Sequence, residues 1–252
     1  MTQRPNTIFL KNADDLSSKD FEELASLGRE HGVDLEISSD AKLYFKDGLL
    51  YLQEGGASFT LKWEEELQDH LKRKYAITKE PLAKALGIKG GSERVVCDCS
   101  LGTGKDAMLI LSFGAKIIAF ERNPLVFMLA LDALRRAKNH TELCTYFNKI
   151  ELRYGVAANN FSELEKVETF YFDPMYPEKK KSSSLPRKEM QVFKKVVGAD
   201  DDFQLQLESL CKTGKKVVLK RPLKSEVILR PSASFPGKTT RYDLYFMPLS
   251  CR

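Results

Sequence analysis

From residue 94 onward the chain alternates short strand-like runs with helical patterns, and this alternation constrains its fold more than any other feature. Arg94–Cys97, Lys116–Phe120, Ile150–Tyr154 and Thr169–Phe172 read as strands. Lys105–Ser112 and Pro124–Lys138 read as helices, the second with Leu125, Met128, Leu129 and Ala133 at helical spacing. Lys216–Lys220 and Asp243–Met247 add late strands. Strands joined by crossover helices pair in parallel. The pattern therefore predicts an open α/β sheet, mostly parallel, with helices on both faces.

The chain before this layer has a different texture. Residues 1 to about 60 read as a small mixed α/β unit. Ile8-Phe9-Leu10 suggests a strand, and Ser18–Arg29 a helix capped by Ser18 with Phe21, Leu24 and Leu27 on one face. Two apolar runs, Lys42–Phe45 and Leu49–Leu52, flank Lys46-Asp47-Gly48, which predicts a hairpin because Asp-Gly tolerates positive φ. Trp63–Tyr75 reads as a charged helix, and a second helix near Glu80–Leu86 ends at Gly87. These signals divide the chain into an N-terminal α/β unit with a helical connector, 1–88, and a sheet domain, 89–252.

Composition excludes several classes. With 252 residues, the longest apolar stretch, near Leu125–Leu131, is too short to span a bilayer. The first residues lack a signal-peptide layout, so a cytoplasmic protein is expected. Five cysteines are an odd number without framework spacing, which suggests reduced thiols. Cys97 and Cys99 have no second Cys/His pair nearby, and His31, His70 and His140 are isolated, so no metal site is expected. The net charge of +5 is a weak signal, but its distribution is informative. Lys212 to Lys224 holds six cations and no acid, including Lys220 and Arg221. Lys179, Lys180 and Lys181 form a second cluster with Arg187 and Lys188. Each could be a solvated face; together they predict a surface for a phosphate backbone.

The sheet's carboxyl edge carries the chemistry. Asp98-Cys99-Ser100-Leu101-Gly102-Thr103-Gly104 follows the first strand of this layer, and a helix opens at Lys105. Gly102 and Gly104 let the backbone turn and approach a ligand, at which the helix points its free N–H groups. Glu121 ends the next strand, where a carboxylate can accept both hydroxyls of a ribose. Gly102-x-Gly104-x-x-Ala107 also fits a dinucleotide fingerprint. Asp98 argues against that, because a carboxylate there opposes a pyrophosphate but suits the ammonium of S-adenosylmethionine. Asp173-Pro174-Met175-Tyr176-Pro177 then closes the fourth strand. A carboxylate, a stiffened turn and an aromatic ring meet the needs of an exocyclic base amine. Its lone pair is delocalised, so acceptors must hold its N–H groups while a ring clamps the base.

Here the chain resembles the small-subunit ribosomal RNA guanine-N2 methyltransferases of the RsmJ type, over roughly its last two thirds. The matching stretches are Leu82–Gly90, Asp98–Ala107, Glu121-Arg122-Asn123-Pro124, Asp173–Pro177, Lys188-Glu189-Met190-x-Val192-Phe193, Val218–Pro222 and Arg241–Tyr245. The resemblance implies a Rossmann-like class I methyltransferase fold with a seven-stranded, mostly parallel sheet and a late antiparallel strand. It implies S-adenosylmethionine as cofactor, with contacts from Lys105, Asp106, Glu121, Arg122 and Asp173 and a further pair at Val156 and Ala157. The family tends to small hydroxyl residues at that pair, so backbone groups are expected to serve the adenine here. Asp173, Pro174 and Tyr176 are the implied catalytic residues. Lys179, Lys180, Lys181, Arg187, Lys188, Lys220 and Arg221 are the candidate RNA contacts. Ribosomal RNA or the small ribosomal subunit is the implied partner. Two other readings stay open from the residues alone: an N6-adenine nucleic-acid methyltransferase, and a noncatalytic RNA-binding or assembly factor.

Overall fold

A computed structural model describes residues 6–11, 16–90, 93–176 and 188–246 of the chain. The N-terminal unit is a five-stranded sheet of order β2-β1-β3-β4-β5. Its strands are β1 (Asn6–Lys11), β2 (Val33–Ile37), β3 (Leu43–Lys46), β4 (Leu49–Glu54) and β5 (Ala57–Phe59). Helix α1 (Ser18–Glu30) crosses between β1 and β2, which pair in parallel. Its cap is Ser17 rather than Ser18: the Ser17 side chain accepts from the Asp20 N–H. The expected hairpin joins β3 to β4, with Asp47 at φ 50° and Gly48 at φ 75°. Both lie in the left-handed region that a two-residue turn of matching twist requires.

Helices α2 (Trp63–Arg73) and α3 (Pro81–Leu86) connect to the larger sheet. Pro81 opens α3, and Gly87, at φ 70°, closes it. The larger sheet has seven strands in the order β11-β12-β10-β9-β6-β7-β8. They are β6 (Val95–Asp98), β7 (Lys116–Glu121), β8 (Ile150–Tyr154), β9 (Thr169–Phe172), β10 (Lys216–Pro222), β11 (Ala233–Pro236) and β12 (Thr240–Tyr245). The other α-helices among the described residues are α4 (Lys105–Ser112), α5 (Pro124–Lys138), α6 (Cys144–Phe147), α7 (Lys188–Val197) and α8 (Phe203–Cys211). Strands β8, β7, β6, β9 and β10 run parallel, while β12 runs antiparallel to both its neighbours. After β6 the chain adds strands on one side, then returns to add β9 on the other. That switch point brings the carboxyl ends of β6 and β9 together, where open sheets bind ligands.

Strand alternation splits the sheet's apolar residues between two faces. Val96, Tyr171 and Val218 join the larger core with Met108, Phe127 and the N-terminal Leu43 and Leu52. Cys97, Phe170, Phe172 and Leu219 face the other way, against Leu207 and Leu210 of α8. The larger core is continuous across residue 88. A buried carboxylate ties the N-terminal sheet to α5 as well: Asp132 of α5 accepts from the Leu50 N–H at 3.1 Å and pairs with Arg135 and Arg136. Among the described residues, no helix is long and apolar enough to cross a membrane.

Candidate active site

A cavity of about 650 Å³ opens at the carboxyl edge of β6, β7 and β9. The glycine loop forms its floor. The Leu101 N–H donates to the Phe120 carbonyl, and the Cys99 N–H to the Tyr171 carbonyl, which ties the loop to both neighbouring strands. Gly104 sits at φ 76°, and a Cβ there would stand 2.6 Å from the Trp63 indole nitrogen. Only glycine fits a left-handed position so close to a ring. Phe193 of α7 covers Gly102 in the same way, at 3.3 Å from a Cβ built there.

Carboxylates dominate the lining. Glu121 is buried, and its two oxygens accept from the Gly102 N–H at 3.0 Å and the Asn123 N–H at 2.7 Å. These bonds fix its plane and leave lone pairs for hydroxyl groups. Burial pushes its carboxyl up to about 7, against the pull of those two N–H donors. Asp98 is only 1% exposed and accepts from the Ser100 N–H at 3.1 Å. Burial pushes it up to about 8, with Ser100 opposing and Asp106, Asp173 and Glu121 adding to the rise.

Asp173 leaves β9 with its N–H donating to Ser100 Oγ at 2.8 Å. Burial raises its carboxyl to about 6, and Lys220 opposes the rise. Asp106, in the first turn of α4, accepts from the Tyr171 hydroxyl at 2.6 Å and from Lys220 Nζ at 2.6 Å. The next residues are stitched down. Met175 exchanges two hydrogen bonds with Asp200, whose N–H donates to the Met175 carbonyl and whose carboxylate accepts from the Met175 N–H. Arg122 pairs with Asp200 and with Asp202, the latter at 2.9 Å. Tyr176 donates its hydroxyl to the Lys220 carbonyl at 2.7 Å and packs edge-on against Phe203.

The structure therefore brings Asp98, Gly102, Lys105, Asp106, Glu121, Arg122, Val156, Asp173, Pro174 and Tyr176 to one cavity. Gly104 lies behind this wall, under Trp63. Ala157 is buried on the α8 side of the sheet, while Val156 reaches the lining. Lys179, Lys180, Lys181 and Arg187 lie outside the described residues, as does the side chain of Lys188.

The expectation that Lys220 and Arg221 form part of a phosphate-facing surface needs correction. Lys220 turns into the cavity, between Asp106 and Asp173. Arg221 is 8% exposed, donates to Ser225 Oγ and the Glu226 carbonyl, and lies 4.6 Å from the Tyr176 ring centroid. Sequence reasoning also gave no role to the side chains of Trp63, Ser100, Tyr171 and Asp200. They come from four separate segments, and only the fold reveals their proximity.

Several buried carboxylates raised by burial and by one another favour a cationic ligand over an anionic one. S-adenosylmethionine, with its ammonium and sulfonium, fits that donor set; a pyrophosphate does not. Known proteins agree. The family model described as "Putative SAM-dependent methyltransferase" matches residues 28–247. A solved SAM-dependent methyltransferase from Neisseria gonorrhoeae superposes with a TM-score of 0.72 at 25% identity, covering 98% of each chain. Fold, cavity and matches together define a class I S-adenosylmethionine-dependent methyltransferase.

Two curated relatives narrow this class. The "Ribosomal RNA small subunit methyltransferase J" of Thioalkalivibrio sulfidiphilus is 37% identical over 176 residues, spanning 68% of this chain and 69% of that protein. The protein of the same name from Alteromonas mediterranea is 32% identical over 255 residues, spanning 95% and 97%. The chain belongs to the ribosomal RNA small subunit methyltransferase J family.

Proposed function

We propose that this enzyme methylates the exocyclic N2 of a guanine in small-subunit (16S) ribosomal RNA, acting in the cytoplasm on that RNA or on the small ribosomal subunit. The observation that carries the reading is the placement of the Asp173–Tyr176 segment. It borders the same cavity as Asp98 and Glu121, with its carboxylate and ring both held by neighbours. The relatives' name supports the choice of RNA.

When bound, S-adenosylmethionine supplies a sulfonium methyl group that is already activated, so the protein's task is positioning. Asp98 receives the cofactor's ammonium, directly or through water, and Glu121 takes the ribose hydroxyls. Lys105, Asp106 and Arg122 complete the cofactor wall, and Gly155 and Val156 stand where backbone groups can serve the adenine. Asp173 and the Pro174 carbonyl accept from the N2 amine and hold its lone pair toward the methyl carbon. Tyr176 stacks on the splayed base, a contact worth about 1–3 kcal/mol. Arg221 backs one face of that ring, which prepays its ordering. Lys179, Lys180 and Lys181, with Arg187 and Lys188, bind backbone phosphates.

Mass mapping of 16S ribosomal RNA from cells lacking this protein tests the assignment. The expected result is loss of one N2-methylguanosine, restored by the wild-type chain and not by Asp173→Ala. Loss of an N6-methyladenosine instead would move the reading to adenine, and an unchanged modification map would refute it.

A further inference from the structure

We propose that Lys220 is a positioning residue for methyl transfer, holding the Asp173 carboxylate charged and aimed into the cavity by bridging it to Asp106. The inference rests on the reading that Asp173 accepts from the target amine. It assigns Lys220 a part in that site, where the sequence pointed to an RNA phosphate.

The placement follows from sheet register. Leu219 of β10 pairs with Phe172 of β9, so Lys220 lies beside Asp173, one step further along. Its Nζ stands 2.6 Å from Asp106 Oδ2 and 3.0 Å from Asp173 Oδ2. Its side chain is 22% exposed. Burial disfavours an ammonium, but Asp173 and Asp106 outweigh it and keep Lys220 protonated. Here one nitrogen serves two acids.

Other groups also act on Asp173. Asp106 acts from α4, Asp200 from the segment before α8, and Asp98 from β6. The Tyr171 hydroxyl of β9 is spent on Asp106, and Tyr242 of β12 also faces the pair. Apart from Lys220, these neighbours are acidic or neutral. Removing the ammonium leaves two carboxylates facing across its place in a half-buried site. Like charges so disposed share a proton. A protonated Asp173 loses acceptor capacity. It also could not take the proton that the amine must shed once alkylation has left it positively charged. That proton passes from nitrogen to an ionised Asp173 and then to solvent, so the charge on Asp173 matters at both stages.

A lysine with a purely structural role would affect stability without moving the titration of Asp173. The two possibilities separate in a carbon-13 NMR titration of Asp173 with the carboxyl resonance assigned through Asp173→Asn. This measurement needs no RNA, so its failure is distinct from a wrong substrate. Lys220→Met should raise the Asp173 midpoint by about one pH unit or more, and Lys220→Arg should leave it near wild type. On RNA, Lys220→Met should lower kcat about twofold at about pH 7 and about tenfold near pH 5, with recovery as pH rises. KM for S-adenosylmethionine should change much less. Asp106→Asn keeps the lysine and removes the like charge, so it should lower the midpoint. This variant decides the matter if Lys220→Met does not fold. An unmoved midpoint in folded Lys220→Met, a kcat profile of wild-type shape, or a midpoint that stays or rises in Asp106→Asn would each overturn the proposal.

Discussion

Trp63 donates its indole N–H to the Thr103 carbonyl at 3.0 Å, across the join between the N-terminal helices and the glycine loop. The ring is 2% exposed and fills the space that a side chain on Gly104 would need. The N-terminal half of the chain thus shapes the cofactor loop from behind. Trp63→Ala should cost about 3–5 kcal/mol of stability, the usual range for emptying such a site. Trp63→Phe keeps most of the packing and loses the hydrogen bond, worth roughly 0.5–1.5 kcal/mol. It should weaken S-adenosylmethionine several-fold with a small change in Tm. Calorimetric titration showing wild-type affinity in Trp63→Phe would mean that the loop holds its shape without the bond.

The raised carboxyls make two opposite pH predictions. Asp98 moves from an ordinary 3.8 up to about 8, and Glu121 from 4.5 up to about 7. Between those limits the folded protein holds protons that the unfolded chain has released. Stability from these groups is therefore complete below pH 4, falls as pH rises, and levels off above pH 8. The slope is at most about 1.4 kcal/mol per pH unit for each group. Cofactor binding runs the other way. An ammonium is best met by ionised Asp98, so affinity should climb from pH 6 toward 8, with proton release near neutrality. It should decline again once the cofactor's own α-amino group deprotonates, near about 8. Titrations in buffers of different ionisation enthalpy measure that release directly. Flat affinity from pH 6 to 8 with no proton released would contradict the role given to Asp98.

Asp173→Ala should abolish methyl transfer and leave the fold intact. The side chain stands at a strand end that faces the cavity, one third exposed, and it contributes no apolar packing. Circular dichroism should overlay wild type, while turnover falls below a few per cent. A folded variant with appreciable activity would remove Asp173 from the proposed chemistry.

Much of this architecture was legible in the sequence, because buried strands and amphipathic helices carry strong periodic signals. Ile150–Tyr154, Thr169–Phe172, Lys105–Ser112 and Pro124–Lys138 have the bounds their patterns predict. The weaker elements escaped. Strand β11 is four residues with an edge proline, β5 is three residues, and α8 mixes polar residues into its core face, where Gln206 is buried. Among site residues, Asp98 and Glu121 could be placed because a strand end fixes their position beside a glycine loop. Lys220 and Arg221 could not, because a run of cations in sequence is not a patch in space. From the cluster between Lys212 and Lys224, Lys215 caps the carbonyls of Leu164, Glu165 and Val167, Lys220 enters the cavity and Arg221 backs Tyr176. Side-chain direction, set by register and neighbours, decides each case.

That distinction gives the last prediction. Counterion release makes RNA affinity fall with salt in proportion to the phosphates contacted. Arg221 is committed to Ser225, the Glu226 carbonyl and the Tyr176 ring. Arg221→Ala should therefore leave the log–log salt slope unchanged. It should still reduce kcat, because Tyr176 loses the group that backs its face. Replacing Lys179, Lys180 and Lys181 together should do the reverse. If they contact phosphates, the slope should fall by about two to three units, while turnover at saturating RNA stays near wild type. Fluorescence anisotropy with small-subunit ribosomal RNA across a salt series reads both variants on one scale. A smaller slope in Arg221→Ala would restore that residue to the phosphate surface. An unmoved slope in the triple variant would show a solvated lysine run with no part in binding.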